Sequence, residues 1–143
     1  GSRFMRPYFL GLLAEQWAKL GDVERGLTLL AEALATIQST GECWCEAELH
    51  RRQGDLSQLR DGDRNSDGND AAEGAFRRAL AIAKHQAAKT LELRAAASLA
   101  RLWQRQGKRL GAQRVLEDSL DWFVEGLDSP EMIATRSLLA QLR

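Results

Sequence analysis

The chain is poor in several residue types that would point to a function directly. Its 143 residues include 2 Pro, 2 Cys, 2 His and 1 Tyr, and aromatic side chains make up 6%. So few prolines exclude collagen-like and proline-rich disordered classes. Cys43 and Cys45 cannot frame a disulfide-stapled secreted scaffold. A C-x-C without further Cys or a nearby His is not a zinc-ligand set. No apolar run reaches the roughly 18 residues that span a bilayer, so no membrane contact is expected. The amino-terminal stretch lacks the apolar core of a signal peptide, and the expected location is the cytoplasm. There is no surplus of one charge either, with 20 Lys+Arg against 20 Asp+Glu. A nucleic-acid binder normally carries a basic excess, so no nucleic-acid partner is expected. Neither G-x-x-x-x-G-K-[ST] nor a nucleophile–base pair occurs, so the chain is expected to be no enzyme and to need no cofactor.

What is abundant favours helix. Ala, Leu, Glu, Arg and Gln dominate, β-branched residues are scarce, and no apolar/polar alternation persists. Start and stop signals predict seven helices. The first runs from about Pro7 to Lys19 and is stopped by Gly21. Asp22 caps the second, which ends at Gly41, and the third covers about Cys43 to Leu59. A polar loop follows, about residues 60–70, and Asp70 is the expected cap of the fourth helix. A break at Ala87-Ala88-Lys89 precedes the fifth, about Thr90 to Gln106, which Gly107 stops; the sixth covers about Arg109 to Val124. Ser129-Pro130-Glu131 reads as cap, first-turn proline and acidic first turn of a last helix reaching about Leu142.

The helices pair as repeats. Leu10-x2-Leu13-Ala14-x2-Trp17, Gly21 and Gly26-x3-Leu30-x2-Ala33-Leu34 in the first pair superpose without a gap on the third. There the sequence reads Ala96-x2-Leu99-Ala100-x2-Trp103, Gly107 and Ala112-x3-Leu116-x2-Ser119-Leu120. The second pair matches in its later half, Ala72-x3-Phe76-x2-Ala79-Leu80. Its earlier half puts His50, Gln53 and Ser57 where bulky residues are expected. The steps from Ala14 to Gly54 and from Phe76 to Leu116 are both 40 residues, whereas Leu30 to Phe76 is 46. The middle loop therefore holds about six inserted residues. The expectation is one all-α domain over 1–143, a tetratricopeptide-like right-handed superhelix. It comprises helix pairs at about 7–40, 43–87 and 89–125 and a capping helix at about 130–142.

The segments Trp44-Cys45-Glu46-Ala47-Glu48-Leu49-His50-Arg51, Ala75-Phe76-Arg77-Arg78-Ala79-Leu80 and Ser98-Leu99-Ala100-Arg101-Leu102-Trp103 resemble one bacterial family. It is the C-terminal tetratricopeptide-like region of multidomain "predicted ATPase" regulators, which carry an adenylate/guanylate cyclase or DNA-binding domain upstream of an ATPase module. The resemblance implies a non-catalytic interaction and regulatory module within a larger signalling protein. Its partner would be a protein, a peptide or the upstream domains themselves.

Three features are candidate sites. Stacked helical hairpins present a groove along the first helix of each pair. By spacing it would be lined by Tyr8, Glu15 and Lys19, by Glu48, Arg51 and Asp55, and by Arg94, Arg101 and Arg105. The three arginines share a helical face suited to a carboxylate or an acidic peptide. Such a polar lining speaks against the alternative of a small-molecule sensor pocket. Asp63-x-Asn65-x-Asp67-Gly68 reproduces the first half of a calcium loop, but the twelfth residue is Gly74 where a bidentate Glu belongs. A solvated connector is therefore expected, with a calcium-binding scaffold as the alternative. The apolar amino-terminal end, with Phe4, Met5, Tyr8, Phe9 and Leu12, is where upstream repeats would stack or a homodimer would form. Trp17 and Trp103 are expected in the core, Trp44 and Trp122 partly exposed, and His50 and His85 without a catalytic role. Neutrality itself is a cancellation: 61–73 holds 1 basic and 5 acidic residues, and 74–143 holds 12 and 7.

Overall fold

The computed structural model describes residues 2–41, 44–61, 66–121 and 129–143, and all regular structure among them is helical. The helices are α1 (Ser2–Lys19), α2 (Val23–Thr40), α3 (Glu46–Asp61), α4 (Ser66–His85), α5 (Lys89–Arg105), α6 (Arg109–Leu120) and α7 (Pro130–Leu142). The all-α class is as expected. Among the described residues no helix is long and apolar enough to cross a membrane.

Several boundaries differ from expectation. α1 begins at Ser2 rather than Pro7, which lies inside it. Packing holds the extra turn although Pro7 has no N–H to give. Pro7 is buried, and the Arg6 guanidinium donates to Glu32 of α2 at 3.0 Å. α3 begins at Glu46 and reaches Asp61. α4 begins at Ser66, so Asp70 is an exposed residue within the helix and not its cap. The physical reason is that acidic residues suit both a polar loop and the amino-terminal turns of a helix, where the macrodipole favours negative charge. The expected continuation of the sixth helix to Val124 lies outside the described residues.

Helix ends follow local chemistry. Asp22 caps α2 by accepting from the Arg25 N–H at 3.1 Å, and Ser129 caps α7 by accepting from the Met132 N–H at 3.2 Å. α1 and α5 stop in the same way. The Asp22 N–H reaches back to the Trp17 carbonyl at 2.9 Å and Gly21 to Ala18 at 3.0 Å. Lys108 likewise donates to Trp103 at 2.8 Å and Gly107 to Gln104 at 3.1 Å. Both glycines adopt the left-handed conformation this stop requires, with φ of 95° and 79°. α4 ends on the same bonds, Ala88 to Ala83 and Ala87 to Lys84, but with an alanine at φ 54°.

Contacts gather into two compact units, Gly1–Ala79 and Leu80–Arg143. In the first, α1 and α2 form a hairpin on which α3 packs, around Ala14, Leu30, Ala33, Ile37, Cys45, Leu49 and Leu56. The hairpin is tight: a Cβ at Gly26 would lie 2.8 Å from the Ala14 carbonyl oxygen. In the second unit α5 and α6 form the hairpin and α7 closes it, burying Ala96, Ala100, Ala112, Leu116, Leu139 and Leu142. α7 is fastened at both ends. Arg94 donates to Glu131 at 2.9 Å, and Gln113 donates to the Leu142 carbonyl at 2.6 Å.

Two outcomes follow from this packing. Ala87 holds a backbone conformation that costs an L residue about 1 kcal/mol and glycine almost nothing. Ala87→Gly should therefore raise the denaturation free energy by about 0.5–1 kcal/mol in urea melts. The helical glycines Gly54 and Gly74 should respond oppositely to Ala. At Gly54 a Cβ would meet the Phe76 ring at 2.5 Å, an overpacking that costs about 1–3 kcal/mol. At Gly74 it meets nothing within 4 Å, so the gain in helix propensity, about 0.5–1 kcal/mol, is realised.

Candidate functional site

Four of the residues expected along the groove come together in the first unit. Glu15 and Lys19 of α1 and Arg51 and Asp55 of α3 line a cleft of about 400 Å³. Ala18 and Leu56 lie at its apolar base, and Leu59 stands beside it 65% exposed. Arg51 grips Glu48 through two bonds, Nε to Oε1 at 2.8 Å and Nη2 to Oε2 at 3.0 Å, and reaches Asp55 at 3.1 Å. Burial works against this guanidinium's charge, but the bonds and charges of Glu48, then Asp55 and Glu15, raise its pKa. Glu15 is also shared, 3.7 Å from Lys19 Nζ and 3.9 Å from Arg52. The cleft is thus an apolar floor rimmed by charges that already have partners. Arg52 and Leu59 escaped the spacing argument because they lie beside the chosen helical stripe.

The other expected groove residues lie elsewhere. Tyr8 packs its ring on Trp44 at 5.1 Å and against Phe9 at 5.8 Å. Arg94, Arg101 and Arg105 belong to α5 in the second unit, where Arg94 is bound to Glu131 and the other two are exposed. At the amino-terminal end Phe9 is exposed, Met5, Tyr8 and Leu12 are half-buried, and Leu13, not singled out by pattern, is 47% exposed. Trp17 and Trp103 are half-buried rather than enclosed, because each lies over its hairpin partner near the surface. Arg25 sits 4.2 Å from the Trp17 ring centre, and the Trp103 ring packs on Gly111. Cys43, Asp63, Asn65 and Trp122 lie outside the described residues, as does the side chain of Phe4. Asp67 and Gly68 have helical backbone at the start of α4, whereas a calcium loop would need them in a turn. Among the described residues no three His, Cys, Asp or Glu side chains are gathered as a metal site would require.

A second cleft, of about 450 Å³, opens between α2, α3 and α4 of the same unit. Its polar wall is His50, Gln53, Ser57 and Arg60 of α3 with Arg78 of α4. Leu27, Ala71 and Ala75 supply the apolar wall, and Gly74 leaves it open. His50 is 6% exposed and its Nδ1 has no hydrogen-bond partner among the described residues. Burial, reinforced by the Arg78 charge, pulls its pKa below the ordinary 6.5, against a raising hydrogen bond with Gln53. Sequence patterning marked His50, Gln53 and Ser57 only as departures from the repeat.

No protein-family model and no curated protein matches this chain.

His50 has a stated consequence for stability. Its folded pKa lies below the unfolded value, so the unfolded state takes up the proton first as pH falls. The stabilisation from neutral His50 is present above about pH 6.5 and is lost on acidification below it. Thermal melts between pH 7.5 and 5 should show a falling midpoint, and His50→Gln should flatten that fall. An unchanged slope in the variant would assign the loss to other groups.

Proposed function

We propose that the chain is a tetratricopeptide-like interaction module that binds a protein or peptide segment without catalysing a reaction. On the same reading it works in the cytoplasm as the regulatory part of a larger signalling ATPase or cyclase. Its binding face is the α1–α3 cleft, and the carrying observation is the make-up of that cleft. An apolar floor, an exposed leucine and a ring of paired charges suit a partner that brings its own apolar side chain and short polar flanks. Hairpin structure supports the repeat assignment. Trp17 and Trp103, Gly21 and Gly107, and Gly26 and Ala112 hold equivalent positions in two hairpins that stop on the same hydrogen bonds. The exposed Phe9 and Leu13 suit a neighbouring repeat at the amino-terminal end.

Selection from a displayed peptide library, followed by fluorescence anisotropy, checks this reading. Peptides with one large apolar residue between charged ones are expected to emerge and to bind at micromolar Kd. Leu59→Asp should weaken them at least tenfold with the melting midpoint unchanged. Failure to select any saturable binder, or ATP hydrolysis by the purified chain, would overturn it.

A further inference from the structure

The cleft around His50 occupies a place that an indole ring fills in the other two hairpins. With the 40- and 46-residue steps of the repeat, Ser57 stands at the position of Trp17 and Trp103. Ala71 stands at the position of Arg25 and Gly111, the residues those two rings pack against. Where the other hairpins have a tryptophan on its partner, this one has a serine facing an alanine, and both line the opening. His50 and Gln53 likewise replace Leu10 and Leu13 of the first hairpin. Three neighbouring departures from one repeat pattern, His50, Gln53 and Ser57, all bordering one opening, are what a binding site produces in an otherwise regular scaffold.

We infer that this cleft binds a small ring-bearing organic anion, with its flat ring in the missing indole's place and its carboxylate on Arg78. Charge argues for the anion. Among the described residues no acidic side chain lines the cleft, whereas Arg60 and Arg78 both do. Arg60 is already committed, 2.9 Å from Asp61 and 4.0 Å from Glu24. Among the described residues no carboxylate pairs with Arg78, while its neighbour Arg77 is bound to Glu73. A guanidinium offers a carboxylate two parallel N–H donors. The buried Nδ1 of His50 supplies a further polar atom, and a buried group of this kind is destabilising until something pairs with it. In its protonated tautomer it donates to an oxyanion. The ring is argued from space and from Leu27, Ala71 and Ala75, which give it apolar walls. At about 450 Å³ the opening is of the size that takes a drug-sized molecule.

The test uses the two histidines as reporters, because His50 lines the cleft and His85 does not. Indole-3-acetate is titrated into the full chain while both imidazole Cε1–H resonances are followed by NMR. Acetate, which lacks the ring, and indole, which lacks the charge, are run beside it. The expected result is a saturable shift of the His50 signal alone, with indole-3-acetate binding at least tenfold more tightly than either control. Arg78→Gln should weaken binding at least tenfold. Ser57→Trp, which puts the indole back, should abolish it. Gly74→Leu narrows the same opening from α4 and serves if Ser57→Trp disturbs the helix, as judged by circular dichroism. No saturable shift, equal movement of both histidines, or unaltered affinity in Arg78→Gln and Gly74→Leu would overturn the inference. Binding of acetate or indole as tight as indole-3-acetate would do so too. None of these outcomes bears on the α1–α3 cleft, whose residues are untouched.

Discussion

The close crossing of paired helices at small side chains is the constraint on which the rest depends. At the α1–α2 crossing Ala14 has no exposure, and Gly26 comes so near that a methyl group would contact the Ala14 carbonyl. Ala100 and Ala112 take these places between α5 and α6. Once the backbones are that close, the next residues along each stripe have only one place to go. Leu30 and Leu116 are fully enclosed, and Phe76 fills the space beside Gly54. Close packing of this kind tolerates little change in volume, which accounts for glycine at positions 26 and 54 despite its low helix propensity.

That constraint also explains why polar groups gather where they do. A hairpin held together by its small and leucine positions does not need every bulky position filled. The second hairpin keeps its Gly54–Phe76 contact and gives up three bulky positions of α3. Their replacement by His50, Gln53 and Ser57 leaves an opening in place of a ring, and a buried imidazole whose charge is suppressed by desolvation and Arg78. The α1–α3 cleft has a different origin. It is a seam between helices whose polar residues satisfy one another, with Arg51 bound at once to Glu48 and Asp55. The His50 cleft has unmet hydrogen-bonding capacity and the α1–α3 cleft has little, so they suit different ligands.

Much of the architecture was legible from residue order. The stops at Gly21 and Gly107, the caps Asp22 and Ser129 and the break near Ala87 are local chemistry, decided within four or five residues. The start of α4 was not legible, because the same acidic residues serve a loop and a helix's first turns. α1 outran Pro7 because contacts with α2, distant in sequence, outweighed one lost backbone bond. Of the expected groove, Glu15, Lys19, Arg51 and Asp55 do share a cleft, since helical spacing selects a face reliably. Arg94, expected on a face suited to a carboxylate, is bound to Glu131, which lies on a helix that no periodicity within α5 could name.

The sequence by itself determined the helical class, the pairing register and the positions where the repeat pattern breaks, because propensity, capping and period are short-range effects. Only tertiary structure decided what those breaks mean. Whether His50 is a surface residue or a buried one with an unmet Nδ1 depends on which side chains from α2 and α4 surround it, and three-dimensional packing alone sets that.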